Sequence, residues 1–412
     1  MTTQPGLYIH LPFCLSRCGY CDFAVVTDRD GSQESYLDCL RNELAFWGPR
    51  LRSPLTTVYF GGGTPSRFHP DLFRRLLDAI RKACPLESDV EISAEANPES
   101  LSESLLDQWV GLGINRVSVG VQSFNDRLLP LLDRRHDAAT AIRVLKMVAS
   151  SNLKSWSLDL IYGLPGQSLP AWLHDLRTAL DFRPPHISFY NLILHPNLPT
   201  TKRALSVLPP DHEDLQAIMF LEAVQAFEES GLEVYELSNA AKPGHYCRHN
   251  RLYWRGGEWI GIGMSASSWH EGRYFANPAS WEAYLKAWPT VPKVLPVPAK
   301  IPDLEARLMD LVMLRLRTSE GVSFHEITEM LAGAPPSAGR DGAPASRRLG
   351  GKAVKNEASQ RPALRLGQLG ADLVTHGYAK DEAGYLALTP AGWLVHSEVT
   401  TRVMDCLLGR PG

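Results

Sequence analysis

The sequence predicts an α/β fold, a partial (β/α)6 barrel followed by a C-terminal α+β winged-helix-like module. Three observations predict it. Short apolar runs alternate with amphipathic stretches over residues 6–190, the pattern of a parallel sheet with helices outside. Six such units can be read rather than eight, which favours a partial barrel or open curved sheet; a doubly wound sheet shares the same periodicity. Beyond residue 300 the order helix, helix, hairpin, helix is that of a small winged-helix-like unit.

The candidate strands are Leu7–His10, Thr57–Phe60, Val90–Ala94, Arg116–Val121, Trp156–Ile161 and His186–Tyr190. Most are continuous runs of β-branched and aromatic residues, as expected of strands buried on both faces. The amphipathic stretches Gln33–Phe46, Asp71–Lys82, Leu101–Trp109, Ala138–Ala149 and Pro170–Leu180 predict the covering helices. A helix over Asp211–Ser230 ends this first unit, residues 1–230. Residues 231–300 form a second segment, in which 234–275 is rich in Gly, Tyr, Trp and His and reads as strands and loops covering the main unit. Residues 301–412 form the third. It opens on a helix over Pro302–Arg317, and Ser323 with Glu326 makes a capping box for a short helix ending near Leu331. Gly333–Pro362 carries six basic and two acidic residues, one Leu and no aromatic residue, so a disordered insert of charge +4 is expected there. A helix over Ala363–His376 stopped by Gly377, a hairpin over Tyr378–Leu388 and a helix from Thr389, with Pro390 in its first turn, complete the module.

The 412 residues are 44% hydrophobic and 21% charged, with a formal net charge of −3, enough chain for a large core and two or three domains. The balance of 42 basic against 45 acidic residues gives no pull toward nucleic acid or anionic membranes. No run of about 18 apolar residues occurs, so no transmembrane segment is expected. Seven cysteines, an odd number in a long chain, do not suit a disulfide scaffold. With the first motif starting at Tyr8, no signal or transit peptide is expected ahead of it, and the expected location is cytoplasmic.

Cys14, Cys18 and Cys21 form a C-x3-C-x2-C triplet directly after the first strand. Three thiolates this close can converge on one [4Fe–4S] cube and leave its fourth iron open to a small chelating molecule. A closed zinc site would want a fourth Cys or His nearby, and Phe23 stands where it would fall. The scattered Cys39, Cys84, Cys247 and Cys406 read mainly as core or helix residues.

In βα architectures the site gathers at the carboxyl ends of the strands. Here the second strand runs into Gly61-Gly62-Gly63-Thr64-Pro65, and the next three reach Glu95, Gln122 and Asp159. Bare glycine backbone lets a ligand approach closely. A polar residue in an otherwise apolar strand needs a partner, so Asp159 favours a ligand. Arg134, in Leu131-Leu-Asp-Arg-Arg-His136, reads on its own as a solvated helix end.

The segment Tyr8-Ile-His-Leu-Pro-Phe-Cys14-x3-Cys18-x-Tyr20-Cys21 resembles the signature of the radical S-adenosylmethionine (SAM) superfamily. More narrowly, it resembles the branch holding oxygen-independent coproporphyrinogen III oxidases and HemW-type heme chaperones. The strand-end segments are similar to that branch in the same order. The resemblance implies a radical-SAM barrel with a [4Fe–4S] cluster on Cys14, Cys18 and Cys21. SAM would bind the open iron and be cleaved to methionine and a 5′-deoxyadenosyl radical. It further implies that Gly62, Gly63 and Thr64 receive the amino-acid end of SAM and that Tyr8 packs near cluster and cofactor. Glu95, Gln122, Arg134 and Asp159 would contact its ribose, adenine or methionyl groups.

Two departures separate the chain from the oxidases of the branch, which carry a longer N-terminal arm and a further Cys after the third. Here seven residues precede Tyr8, and Cys21-Asp22-Phe23 lacks that Cys. Both features resemble the HemW-type side. So does Cys247-Arg-His249-Asn250-Arg-Leu-Tyr253-Trp254, similar to a segment associated there with heme binding. His249 is a candidate axial ligand for heme and Cys247 a second one, with Tyr253 and Trp254 as flat apolar surface. The expected function is a heme chaperone that binds heme, a [4Fe–4S] cluster and SAM and transfers heme to an acceptor protein. An electron donor such as a flavodoxin or ferredoxin is implied. The alternative is an oxygen-independent coproporphyrinogen III oxidase, a radical SAM oxidative decarboxylase of porphyrin biosynthesis. The winged-helix-like module and basic insert would suit nucleic acid, but net charge −3 and an insert without aromatic residues argue for no nucleic acid partner.

Overall fold

Strand and helix alternate through the first 190 residues of the computed structural model, which describes residues 5–27, 29–193, 211–333, 357–382 and 384–410. The order is β1 (Gly6–Leu11), α1 (Gln33–Trp47), β2 (Leu55–Gly62), α2 (Pro70–Ala83), β3 (Leu86–Ala96), α3 (Glu103–Gly111), β4 (Arg116–Gln122), α4 (Ala138–Ala149), β5 (Ser155–Tyr162), α5 (Leu169–Asp181) and β6 (His186–Asn191). Strands β1 to β6 are parallel neighbours in chain order. Ser102, Asp137 and Ser168 start α3, α4 and α5 by accepting the N–H of Leu105, Thr140 and Ala171, each satisfying a donor that the first turn leaves unpaired.

The strands are not apolar on both faces, as the continuous runs suggested. One face, with Ile9, Val58, Phe60, Ile92, Val119, Leu158 and Phe189, is buried in the apolar core with the helices. The other is polar. Register puts Tyr59, Ser93, Arg116 and Ser155 side by side, and above them Glu95, Ser118, Ser157 and His186. The period-two pattern is plain in Glu91-Ile-Ser-Ala-Glu95 and Arg116-Val-Ser-Val-Gly120. This half-barrel therefore has a hydrogen-bonding interior.

The chain continues through α6 (His212–Glu229), β7 (Glu233–Glu236), β8 (Asn239–Ala241), α7 (Arg248–Trp254), β9 (Trp259–Ile262), β10 (Ser267–His270), β11 (Arg273–Ala276), α8 (Trp281–Ala287) and β12 (Ala299–Lys300). Its strands do not form a covering layer. They widen the same sheet at both edges, in the order β12-β11-β10-β9-β1-β2-β3-β4-β5-β6-β8-β7, open at each end. Helix α7 stands where strand and loop were expected. It closes the amino-terminal floor of the half-barrel, where the Glu91 carboxylate accepts the N–H groups of Arg248 and His249, each at 3.1 Å. A carboxylate there complements the positive end of the helix.

The last module comprises α9 (Leu304–Leu316), β13 (Val322–Ser323), α10 (Phe324–Leu331), α11 (Glu357–Thr375), β14 (Ala379–Glu382), β15 (Tyr385–Leu388), α12 (Pro390–Leu394) and α13 (His396–Leu408), with a small sheet β13-β15-β14. Its order is that of the winged-helix-like unit. The expected capping box is half formed. Ser323 accepts the Glu326 N–H at 3.4 Å, but the Glu326 carboxylate turns to Arg315 in a buried ion pair of 2.8 Å. Helix α11 begins at Glu357, within the stretch read as a disordered insert; residues 334–356 of that stretch lie outside the described residues. Among the described residues no helix is long and apolar enough to cross a membrane.

Glu43 of α1 ties this helix to the widened edge of the sheet. Its buried carboxyl accepts the Gly263 N–H (2.9 Å), the Tyr284 O–H (2.9 Å) and the Asn277 amide (2.5 Å). Burial pushes the carboxyl up to about 8, outweighing the donors that pull it down. The folded chain thus keeps a proton that the unfolded chain releases near the ordinary value of about 4.3. Native protein binds more protons in that interval, so this group's contribution to stability falls as pH rises from about 4 to about 8. Glu43→Gln is expected to flatten that decline by about 2–4 kcal/mol, measured from urea unfolding midpoints at about pH 5 and about pH 8.5.

Candidate functional site

The cysteine loop leaves β1 and is closed by backbone before any side chain acts. Cys14 N–H donates to Val26 O (3.0 Å) and Val26 N–H to Pro12 O (2.8 Å), while Cys21 N–H donates to Cys18 O (3.1 Å). Phe13 anchors the entry in an aromatic cluster with Tyr36, Phe68 and Trp281. His10 anchors the exit. Its Nε2 lies 2.7 Å from Ala24 O and must donate, so Nδ1, 3.2 Å from the Tyr8 hydroxyl, is the acceptor of a neutral ring. Burial holds the His10 pKa below its ordinary value, in keeping with that neutral form. All three thiols of the triplet are half-buried. Burial raises each of them, Cys14 to about 11, so loading a metal must displace protons from the loop.

Above the carboxyl ends of the strands lies a cavity of about 440 Å³. Its wall includes Cys14, Cys18, Cys21, Gly62, Gly63, Thr64, Glu95, Gln122, Arg134 and Asp159. Ten of the residues singled out in the sequence thus meet at one place. Glu95 accepts the Tyr59 hydroxyl at 2.8 Å and the Gly62 N–H at 3.3 Å. Burial, reinforced by Asp159, pushes its carboxyl up to about 7. Asp159 accepts Ser118 Oγ at 2.8 Å and is likewise raised by burial. The two carboxyls are acceptors for hydroxyl or ammonium groups of a ligand, and a cationic ligand would favour their ionised forms.

Gly62 and Gly63 are required by their surroundings. Gly62 has φ +108° and a Cβ there would meet the His10 ring at 2.4 Å; a Cβ on Gly63 would meet the Pro12 backbone at 2.6 Å. The backbone of this turn is thereby held against the cysteine loop with its surface bare toward the cavity. Gln122 ends β4 with φ 69°, a left-handed conformation that aims its side chain differently from the rest of the strand.

Arg134 is not the solvated helix end that its local sequence suggested. Its Nη1 donates to Asn97 Oδ1 at 2.8 Å, and its buried Nε has no hydrogen-bond partner among the described residues. A buried guanidinium donor left unpaired beside a cavity suits a carboxylate. The donor set as a whole fits the expected groups. Three thiols face one cavity beside bare glycine backbone, an unpaired arginine donor and two carboxyl acceptors. Among the described residues no three His, Cys, Asp or Glu side chains are placed to hold a single metal ion, and the thiols stand around a cavity instead.

Two expected residues lie elsewhere. Tyr8 is on the inner face of β1, with its ring 6.2 Å from that of Tyr59, and its hydroxyl lies 3.2 Å from His10, which in turn bonds to Ala24 O. His249 is on the floor helix, 1% exposed. Its Nδ1 is 2.7 Å from Thr57 Oγ1 and its Nε2 is 2.7 Å from the Tyr253 hydroxyl. Burial pushes its imidazole down to about 3. In this conformation the ring offers no free nitrogen to a heme iron. Cys247 is buried against Glu91, and Trp254 lies under Arg317, 4.5 Å from ring centre to guanidinium. Asn97 was passed over, although it stands two residues after Glu95 at the same strand end and lines the cavity.

The Radical SAM superfamily profile matches residues 8–179. Among solved structures, the chain superposes on coproporphyrinogen III oxidase (HemN) from Escherichia coli, a radical SAM enzyme. The TM-score is 0.79 at 20% identity, over 98% of this chain and 90% of that one. That likeness concerns the fold. Curated relatives include the heme chaperone HemW of Synechocystis sp., 36% identical over 78% of this chain and 79% of the relative. The heme chaperone HemW of Escherichia coli is 40% identical over 63% of this chain and 69% of the relative. Fold and site together define the radical SAM superfamily, whose shared cofactors are a [4Fe–4S] cluster and SAM. Within it, the chain belongs to the HemW family.

Gly120 gives a direct test of the cavity wall. A Cβ there would come within 2.8 Å of Arg134 Nη2, 2.9 Å of Gln122 Nε2 and 3.2 Å of Asn97 Oδ1. All three neighbours are side-chain ends that can move, so Gly120→Ala is expected to keep the fold and displace the guanidinium and the Gln122 amide. Binding of SAM, measured calorimetrically on cluster-loaded protein, should weaken roughly tenfold or more, the weight of one charged hydrogen bond.

Proposed function

We propose that the protein is a heme chaperone, which binds heme together with a [4Fe–4S] cluster and SAM and passes the heme to an acceptor protein. The observation that carries this reading is the 36% identity to a heme chaperone over 78% of this chain and 79% of the relative. Cys14, Cys18 and Cys21 would hold three irons of the cluster. Arg134 Nε and the glycine turn are suited to the carboxylate and amino ends of SAM, and Glu95 and Asp159 to its hydroxyl or amino groups. Cluster and SAM, when bound, supply one-electron cleavage of a sulfonium bond. The protein's own residues exclude water, orient the ligand and match its charge. A small flavodoxin or ferredoxin is the class of donor that such a cluster needs.

His249 remains the candidate heme ligand on one condition. Helix α7 must withdraw from Thr57 to free Nδ1, or the Tyr253 side chain of the same helix must turn away to free Nε2, since the two hydroxyls occupy both ring nitrogens. The oxidase reading has the HemN fold in its favour and nothing further.

Anaerobically reconstituted protein is expected to take up hemin stoichiometrically and to leave coproporphyrinogen III unchanged. Turnover of the porphyrinogen would overturn the chaperone reading. Cys18→Ala should lose the cluster, read as iron and acid-labile sulfide, whereas Cys84→Ala, buried in the core away from the loop, should keep it. His249→Ala should lower stability by about 2–4 kcal/mol, as expected for emptying a buried, hydrogen-bonded site. It should also change the optical spectrum of bound heme without loss of the cluster. An unchanged heme spectrum would move the ligand to another residue.

A further inference from the structure

A chain of hydrogen bonds runs from Arg134 to the sulfur of Cys14; its first two links are fixed in direction, and the third runs from Thr64 to Cys14 once that sulfur is a metal-bound thiolate without a proton of its own. Arginine can only donate, so Asn97 Oδ1 is the atom facing Arg134 Nη1 at 2.8 Å. That sets the amide, and its Nδ2 faces Thr64 Oγ1 at 3.2 Å. An amide NH₂ also only donates, so Thr64 Oγ1 accepts from it and keeps its own proton for another acceptor. The Cys14 Sγ is 3.5 Å away. Thr64 is 3% exposed, so bulk water does not compete for that proton.

The parts are held in place independently of the side chains that carry the relay. Thr64 N–H donates to Phe13 O at 3.0 Å, which keeps the residue beside Cys14. Asn97 O accepts the N–H of Ser100 (3.0 Å) and Leu101 (3.2 Å), and Asn97 N–H donates to Ser66 Oγ at 3.4 Å. Gly120 leaves the space through which Arg134 reaches Asn97.

We infer that Arg134 and Asn97 are positioning residues that orient the Thr64 hydroxyl to donate to the Cys14 sulfur, and that this bond raises the reduction potential of the cluster. The inference rests on the cofactor reading above. A hydrogen bond to a ligating sulfur draws off negative charge, and the reduced cluster carries one more negative charge than the oxidised one, so the reduced form gains more. The step concerned is the one-electron reduction of the cluster, with the electron coming from the donor protein or from a chemical reductant in the test.

The test is a redox titration of full-length, anaerobically reconstituted protein without SAM, followed by electron paramagnetic resonance. Thr64→Val removes the hydroxyl and keeps the shape. Its midpoint should fall by about 59 mV, a roughly tenfold loss in the equilibrium constant for one-electron reduction. Thr64→Ser restores a hydroxyl and should return the midpoint to the wild-type value. Asn97→Ala frees the Thr64 hydroxyl to turn away and should lower the midpoint in the same direction. Iron-loaded Thr64→Val or Asn97→Ala with the wild-type midpoint would overturn the inference, as would a Thr64→Ser midpoint lowered as far as that of Thr64→Val. If Thr64→Val fails to load iron, Asn97→Ala decides the matter. A wild-type protein that assembles no [4Fe–4S] cluster would overturn the cofactor reading itself, which the iron and sulfide content reports before any potential is measured.

Discussion

The structure depends on the need to satisfy a polar sheet face inside the protein. Helices cover the apolar side of β1 to β6, and the polar side has to find its own partners, because each buried unpaired group costs about 1–3 kcal/mol. Within the half-barrel they are found across strands. Ser118 serves Asp159, Tyr59 serves Glu95, and His186 bridges Ser157 and Tyr235. At the floor, α7 and the residues before it add partners through His245, His249 and the Glu91 cap, while the buried Ser93 hydroxyl finds none among the described residues. At the opposite end the polar groups open on the cavity instead, and that end is where the thiols stand. The asymmetry between a sealed floor and an open top places the chemistry.

That same division explains what could be read from the chain. The six strands, their helices and the cysteine triplet are local patterns, and the structure has them in the expected order. Asp159, expected to need a partner, accepts a hydrogen bond from Ser118 and lines the cavity, and that need depends on residue type and strand context alone. The features that escaped are set from a distance. Helix α7 starts after Cys247, which supplies no side-chain cap, and its cap is Glu91, far off in the sequence. Arg134 is drawn inside by Asn97 and the space at Gly120, neither visible in the charged run around it. The alternation in β3 to β5 was there to be seen. It shows only when each residue is assigned to a face, because the apolar runs alone look continuous.

The C-terminal module is joined to the rest through the same floor. Arg317 pairs with the buried Glu236 at 2.9 Å and lies over Trp254, while Glu320 takes Arg251 of α7 and Arg255 just after it. The ion pairs of Glu320 are partly exposed and individually worth little. Arg317 is different, since its partner is fully buried and breaking the pair would strand a charge inside the protein. Position of the module and seating of α7 are therefore fixed by one set of residues.

The closure of the cysteine loop separates its shape from its ligands. Its backbone pairing at Cys14 and Val26, the Phe13 anchor and the His10 link to Ala24 use no thiol at all. In a zinc finger the metal and the fold arrive together, and removing one dissolves the other. Here the ordering entropy of the loop is met by protein contacts. A change at a thiol therefore alters the ligand set and leaves in place the contacts that give the loop its course.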